Sequence, residues 1–417
     1  MRLEHSVWIR RVAPEHVNPL RVVVVGGGFA GLAAVRGLRD APVAITLVDP
    51  TGFQVFQPLL YQVASGVLAP QNVASAHERL TRRQGNVSVV QAEVAGFDAR
   101  SREVVTVDGL GQEERVRYDI LVLAAGMHTT FGPNTTWAEH ALSLTTLEDA
   151  VAVRNQVFAR PGVGSRPGPV VVVGGGPTGV ELAGALAESD AHAADEADVL
   201  LVEADQAILP SYPEPLRQAA TEELRRRGVR VHLGAPVTNI TSEGLVVGGT
   251  TTAARAVLWA GGARVRPVVD TVAPELGATT DRQGRIVVAP DLSVPDHPDV
   301  FVVGDAAAMA GVPPLAPAAL QTGAFAARVI SARSRAAQPP EIFRYLDRGS
   351  LAVVTGEHAV GVLGPGLVRI SGPVAKALWL GVHLYYLPGA ANRAATAVRW
   401  AGRLARHSDR SRLALAG

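Results

Sequence analysis

Val22-Val23-Val24-Val25-Gly26-Gly27-Gly28-Phe29-Ala30-Gly31 runs from four valines straight into glycine. A short β-branched run reads as a buried strand, and the glycines that follow read as a tight turn opening a helix. Gly26 lets the chain reverse, Gly28 lets backbone approach a pyrophosphate, and Gly31 lets the helix pack close to the sheet. The pattern recurs at Val170–Val173 followed by Gly174-Gly175-Gly176-Pro177-Thr178-Gly179, where Pro177 suits a first helical position. Each loop is followed by a second apolar strand ending in an acid, Ala44–Asp49 and Val199–Glu203. Free N–H groups and the helix dipole favour a phosphate at each loop, and each acid suits ribose hydroxyls. Two such loops point to two dinucleotides held face to face, with electrons passing between them.

The bulk properties narrow the chemistry. The 417 residues suit two or three domains. A hydrophobic share of 47% against 18% charged residues predicts well-filled cores and some extra apolar surface. A net charge of +1 carries no signal for nucleic acid. Lys376 is the single lysine among 39 basic residues, a bias of coding rather than of function. Residues 1–20 read as a leader without the apolar core of a signal peptide. No apolar run is long enough to predict a spanning helix. With no cysteine at all, redox dithiols, sulfenates, Cys-ligated iron–sulfur clusters and Cys-ligated zinc are excluded, so the electron acceptor must be external.

The predicted architecture is α/β, with two Rossmann-like dinucleotide-binding domains. Residues 21–150 and 284–335 form the first, and residues 151–283 form the second, inserted into it. Strands are expected at 87–94, 103–107, 119–126, 228–233, 256–260, 284–288 and 299–305, a helix at 145–160 and a linker at 161–169. Residues 336–417 read as a separate C-terminal region. Pro373–Leu387 is strongly apolar but short, interrupted by Lys376 and His383, and Trp379, Tyr385 and Tyr386 suit a lipid–water boundary. Arg393, Arg399, Arg403, Arg406, Arg410 and Arg412 follow with few acids. Together they predict an amphipathic, membrane-anchoring segment lying in the interface. A dimerisation or core helix with a solvated basic tail is the other reading, and it would suit a homodimer. His383 reads as a packing residue.

The paired loops, the Ala124-Ala125-Gly126 strand end and Gly304-Asp305 resemble two-dinucleotide flavoprotein reductases. Phe56–Ala64 (FQPLLYQVA), Gly174–Glu181 (GGGPTGVE) and Arg344–Ala352 with Trp379–Leu387 narrow the resemblance to type II NADH:quinone oxidoreductases. The resemblance implies FAD on the first loop, cradled by Gly26, Gly28 and Gly31. It also implies Asp49 on the ribose, Val94 at the adenine by its backbone, Gly126 near the pyrophosphate, and Gly304-Asp305 at the ribityl chain. NADH would lie on Gly174, Gly176 and Gly179, with Glu203 on its adenosine ribose, where a carboxylate repels the 2′-phosphate of NADPH. Glu181 is implied to face the nicotinamide and flavin and to serve charge transfer and proton supply. Gln321, in Ala316–Gly323, is implied to reach the flavin edge and the quinone, although Pro317 stands where some members carry another glutamine.

The activity implied is non-pumping NADH dehydrogenation: hydride passes from NADH to flavin, then two electrons to menaquinone or ubiquinone. The place implied is peripheral, on the cytoplasmic face of the cell membrane. An NAD(P)H-dependent reductase of a soluble carrier such as ferredoxin or rubredoxin is the alternative, and a non-catalytic redox-sensing flavoprotein a third.

Overall fold

The computed structural model describes residues 19–159, 168–189, 198–366 and 368–414, with side chains to residue 403. Most of the expected leader and the linker 161–169 lie outside these residues. The first valine run forms strand Leu20–Val25 at the centre of a six-stranded sheet, ordered 293–294, 297–302, 120–123, 20–25, 43–48, 87–90. All pairings are parallel except the one at the 293–294 edge. Strands buried on both faces need continuous apolar runs, which the valines supply. Helix α1 (Phe29–Gly37) leaves directly from the first glycine loop.

The stretch 87–94, expected as one strand, is two. Val87–Val90 joins the parallel sheet, while Ala92–Asp98 turns away to pair antiparallel with Glu103–Asp108 in a three-stranded sheet.

The second valine run repeats the plan. Val170–Val173 lies in a five-stranded parallel sheet ordered 142–143, 256–259, 170–173, 199–202, 230–232. Helix α2 (Pro177–Ala187) leaves its loop with Pro177 in the first turn. In both sheets the loop strand sits between the acid-ending strand and a strand that ends in small residues, Ala124-Ala125-Gly126 or Ala260-Gly261-Gly262. The helix expected at 145–160 spans Leu147–Val157, capped by Thr146, whose hydroxyl accepts from Asp149 N–H at 3.0 Å.

The packing moves the expected boundary. Val265, Val269 and Val272 fill the core beneath the first sheet with Val23, Leu121 and Val302, and Ala263–Val265 pairs with Met127–Thr129. Residues 263–276 therefore pack with the first unit, although they fall within 151–283.

The chain then enters helix α3 (Ala316–Ser334), which meets α1 at backbone distance: a Cβ on Gly323 would lie 2.1 Å from the Ala30 carbonyl oxygen. Beyond it, a three-stranded antiparallel sheet (349–353, 359–363, 368–371) precedes helices α4 (Gly372–Tyr386) and α5 (Ala390–Ala414). No helix among the described residues is long and apolar enough to cross a membrane.

This region is not separate. Trp379, Leu387 and Trp400 share one core with Leu60, Val63, Val172, Val180 and Leu201. Trp379, expected at a lipid boundary, is fully buried and stacks on His383 with ring centroids 3.8 Å apart. The reason lies in the helix period: residues 375, 379 and 383 fall on one face of α4, and that face is covered by the protein. Val374 and Tyr385 lie on the other, each more than two-thirds exposed.

Candidate active site

The three glycines of each loop do three different things. A Cβ on Gly31 or Gly179 would lie 1.9 Å from the carbonyl oxygen of Gly26 or Gly174, so the helix could not start this close to its own strand. Gly26 (φ +100°) and Gly174 (φ +111°) occupy left-handed backbone and press on the neighbouring strand, at Ala124 and Ala260. A Cβ on Gly28 or Gly176 would meet nothing within 4 Å. That space is where a phosphate would sit, against the open first turn of α1 or α2.

The strand-end acids are held in matching ways. Asp49 accepts the N–H of Gly27 at 2.8 Å and that of Thr51 at 2.9 Å. Glu203 accepts the N–H of Gly175, and that of Asp205 at 2.8 Å. Each carboxylate thus takes the middle glycine of its loop and the residue two places on. Burial alone would raise the Asp49 pKa, but the His77 imidazole, the Thr51 hydroxyl and the Gly27 amide hold it down at about 2.

A cavity of about 820 Å³ opens over the first loop. Gly26, Gly28, Asp49, Val94, Gly126, Gly304 and Asp305 all line it. Its size suits a large cofactor. Asp305 carries a second sign: its Oδ1 is buried without a hydrogen-bond partner, and burial pushes its pKa up to about 6. An orphaned buried acceptor at a cavity wall is what a ligand hydroxyl would satisfy. Gly304 (φ +68°) donates its N–H to the Thr322 hydroxyl at 2.9 Å, which locks the Asp305 turn onto α3. The cavity, the open cradle at Gly28 and this acceptor together fit FAD. Gln57, within the FQPLLYQVA stretch, also lines the cavity, as do Thr145, Glu148 and Arg266, which no motif in the sequence marks.

Two expected residues stand elsewhere. Gln321 does not line the cavity; its amide donates to Leu346 O at 3.0 Å and accepts Leu346 N–H at 2.9 Å. Both ends of the amide hold the segment before the last sheet, so Gln321 braces that segment against α3. Glu181 points into the protein, where it accepts the N–H of Val353 at 3.2 Å. Burial pushes its pKa up to about 8. Burial pulls Lys376 down to about 8, against the pull of Glu188 and Glu181. His383 is buried, brought down to about 4, and bonds Trp379 O through Nδ1 at 2.8 Å, a packing role as expected.

The pyridine nucleotide-disulphide oxidoreductase family model matches residues 20–323, the span holding both loops and Asp305. A type II NADH:quinone oxidoreductase of Mycobacterium tuberculosis is 36% identical over 91% of this chain and 87% of its own length. The chain belongs to the type II NADH:quinone oxidoreductase family. An internal alternative NAD(P)H-ubiquinone oxidoreductase of Arabidopsis thaliana is 28% identical over 91% of the chain and 83% of its own length. Among solved structures, NDH2 from Plasmodium falciparum in complex with NADH superposes with a TM-score of 0.81 at 15% identity, covering 92% of this chain and 98% of that one. As expected for a member of this family, the fold spans the C-terminal region as well as the two loop-bearing sheets.

Proposed function

We propose that the protein oxidises NADH and reduces a membrane quinone, with FAD resident on the first loop and NADH visiting the second. One observation carries the reading: the two loops are built alike, each leaving open the position where a pyrophosphate would lie. FAD, when bound, supplies an acceptor for hydride and a donor of two electrons to the quinone. The chain aligns, insulates and charges the site. Gly28 and Asp49 hold the dinucleotide end, and Asp305 offers its free oxygen to the ribityl hydroxyls. Gly176 and Glu203 do the same for NADH, and the Glu203 carboxylate disfavours a 2′-phosphate.

Glu181 sits one turn below the second loop, on the helix that carries it. Kept protonated near neutral pH by burial, it is a proton reservoir for quinone reduction. The acceptor approaches along the start of α3, from exposed Leu315 just before the helix to Ala319 on the cavity wall. The exposed Val374, Leu378 and Tyr385 of α4, followed by exposed Arg393 and Arg399 of α5, suit a peripheral seat on an anionic leaflet, and on the cytoplasmic side, where NADH is made, whereas Arg403 turns inward to Glu188. The same face favours a lipid-soluble acceptor over ferredoxin.

The test is steady-state NADH oxidation by purified protein, with a short-chain quinone and reduced-carrier formation followed in parallel. Faster turnover with quinone is expected. Turnover with ferredoxin alone would favour the soluble-carrier reading. Anaerobic NADH should bleach the flavin band, and a band left unchanged would sink the whole proposal.

A further inference from the structure

His77 lies beneath the first glycine loop, at the junction of strand Ala74–Ala76 and helix His77–Thr81. Its side chain is fully buried, and neither ring nitrogen has a hydrogen-bond partner. Nε2 stands 3.5 Å from Asp49 Oδ1, just beyond hydrogen-bond length, and among the described residues His77 is the one basic side chain in ion-pair range of that carboxylate. The ring also fills the place a side chain at Gly27 would need: a Cβ there would lie 2.2 Å from both Cε1 and Nε2. The backbone on either side is fixed, His77 N–H on Gly52 O at 3.0 Å and the Thr81 hydroxyl on His77 O at 2.9 Å. A buried polar ring without a partner calls for a reason beyond filling space.

The second loop supplies the contrast. Its middle glycine, Gly175, has the Glu203 carboxylate on one side and Ile208 Cγ2 on the other, each about 3 Å from a Cβ built there. Where the first loop rests on an imidazole, the second rests on an aliphatic side chain. The loops otherwise match, down to the amides their acids accept. The difference matches the proposed function, in which the first dinucleotide is retained through turnover and the second leaves with each cycle.

We propose that His77 is a positioning residue for retention of FAD, acting through Asp49. This rests on the reading of the first loop as the FAD site. Nε2 faces Asp49 at 3.5 Å, and a proton carried on that nitrogen keeps the carboxylate charged and oriented beside a site that must also take a pyrophosphate. Without that donor, two anionic groups share one loop, and the acid turns away or the cofactor loosens.

The test compares FAD dissociation constants, by quenching of flavin fluorescence on titrating apoprotein, for the wild type, His77→Ile and His77→Gln. His77→Ile gives the first loop the second loop's support, and His77→Gln keeps an N–H donor. We expect His77→Ile to weaken FAD binding at least tenfold and His77→Gln to stay within about threefold, with apoprotein melting temperatures alike. In an Asp49→Asn background, His77→Ile should add less than about twofold. Equal affinity for wild type and His77→Ile overturns the proposal, as does an undiminished loss in the Asp49→Asn background or an equal loss in His77→Gln. Should His77→Ile not fold, His77→Leu enters the same comparison. If wild-type protein binds no FAD, the fault lies with the proposed function instead.

Discussion

At the scale of single residues, the glycines of one loop separate folding from binding. Gly28 touches nothing, so Gly28→Val should leave the melting temperature of the apoprotein within a degree or two while abolishing flavin content, read as absorbance near 450 nm. Gly31→Ala should do the reverse of a binding-only change and lower apoprotein stability, because its Cβ overlaps the Gly26 carbonyl. Glu203→Gln should raise the KM for NADH several-fold and relax the rejection of NADPH, since the charge that opposes a 2′-phosphate is gone. An unchanged NADH/NADPH ratio would remove Glu203 from the ribose.

Glu181 carries a pH dependence. Burial raises its folded pKa to about 8 from an ordinary 4.5, so the folded state binds a proton the unfolded state has lost. The associated stability is complete below pH about 4.5 and disappears as pH rises through about 8. Glu181→Gln keeps an acceptor for Val353 N–H and cannot ionise. Relative to this variant, the wild type should lose stability steadily between those values, as followed by thermal melts.

At the scale of elements, α4 has one face packed in the core and one exposed, the second proposed to meet the leaflet. Trp379→Ala should cost about 3–5 kcal/mol, a large share of the ~5–15 kcal/mol that holds most proteins folded. Val374→Glu combined with Tyr385→Glu should leave the fold intact but release the protein from anionic vesicles in sedimentation. Truncation before α4 therefore tests folding, not anchoring. The sequence could not separate these faces, because an apolar stripe at helical spacing looks the same whether protein or lipid covers it. The glycine loops were legible because each glycine answers a local steric demand. The break at Gln91 was not, since Val87–Val90 and Ala92–Asp98 differ only in distant partners, residues 45–48 and 103–108. The bonds of Gln321 to Leu346 were not legible, because a motif names an amide without saying which backbone it will meet, and His77 stands in no motif at all.

At the scale of the whole molecule, two sheets of matched design stand on different cores: the second shares one with the C-terminal region, the first has its own, and the absence of cysteine leaves electron transfer to the bound dinucleotides. Thiol-directed maleimide treatment should accordingly leave NADH:quinone turnover unchanged. The resemblance in sequence extended past both loops to α4, and the family relation now spans the same length.

Trp400 donates its indole N–H to Gln62 Oε1 at 2.7 Å, and Asn392 reaches Ala74 O at 2.9 Å, so α5 is fastened to the segments flanking the first cavity. A foot on a flexible tether would only keep such an enzyme near the bilayer, free to swivel. On the membrane seat proposed above, a foot keyed into the interior would dictate the angle at which the body stands and the height of its redox centre above the lipid. Every docked copy would then present the same doorway to a carrier diffusing in two dimensions.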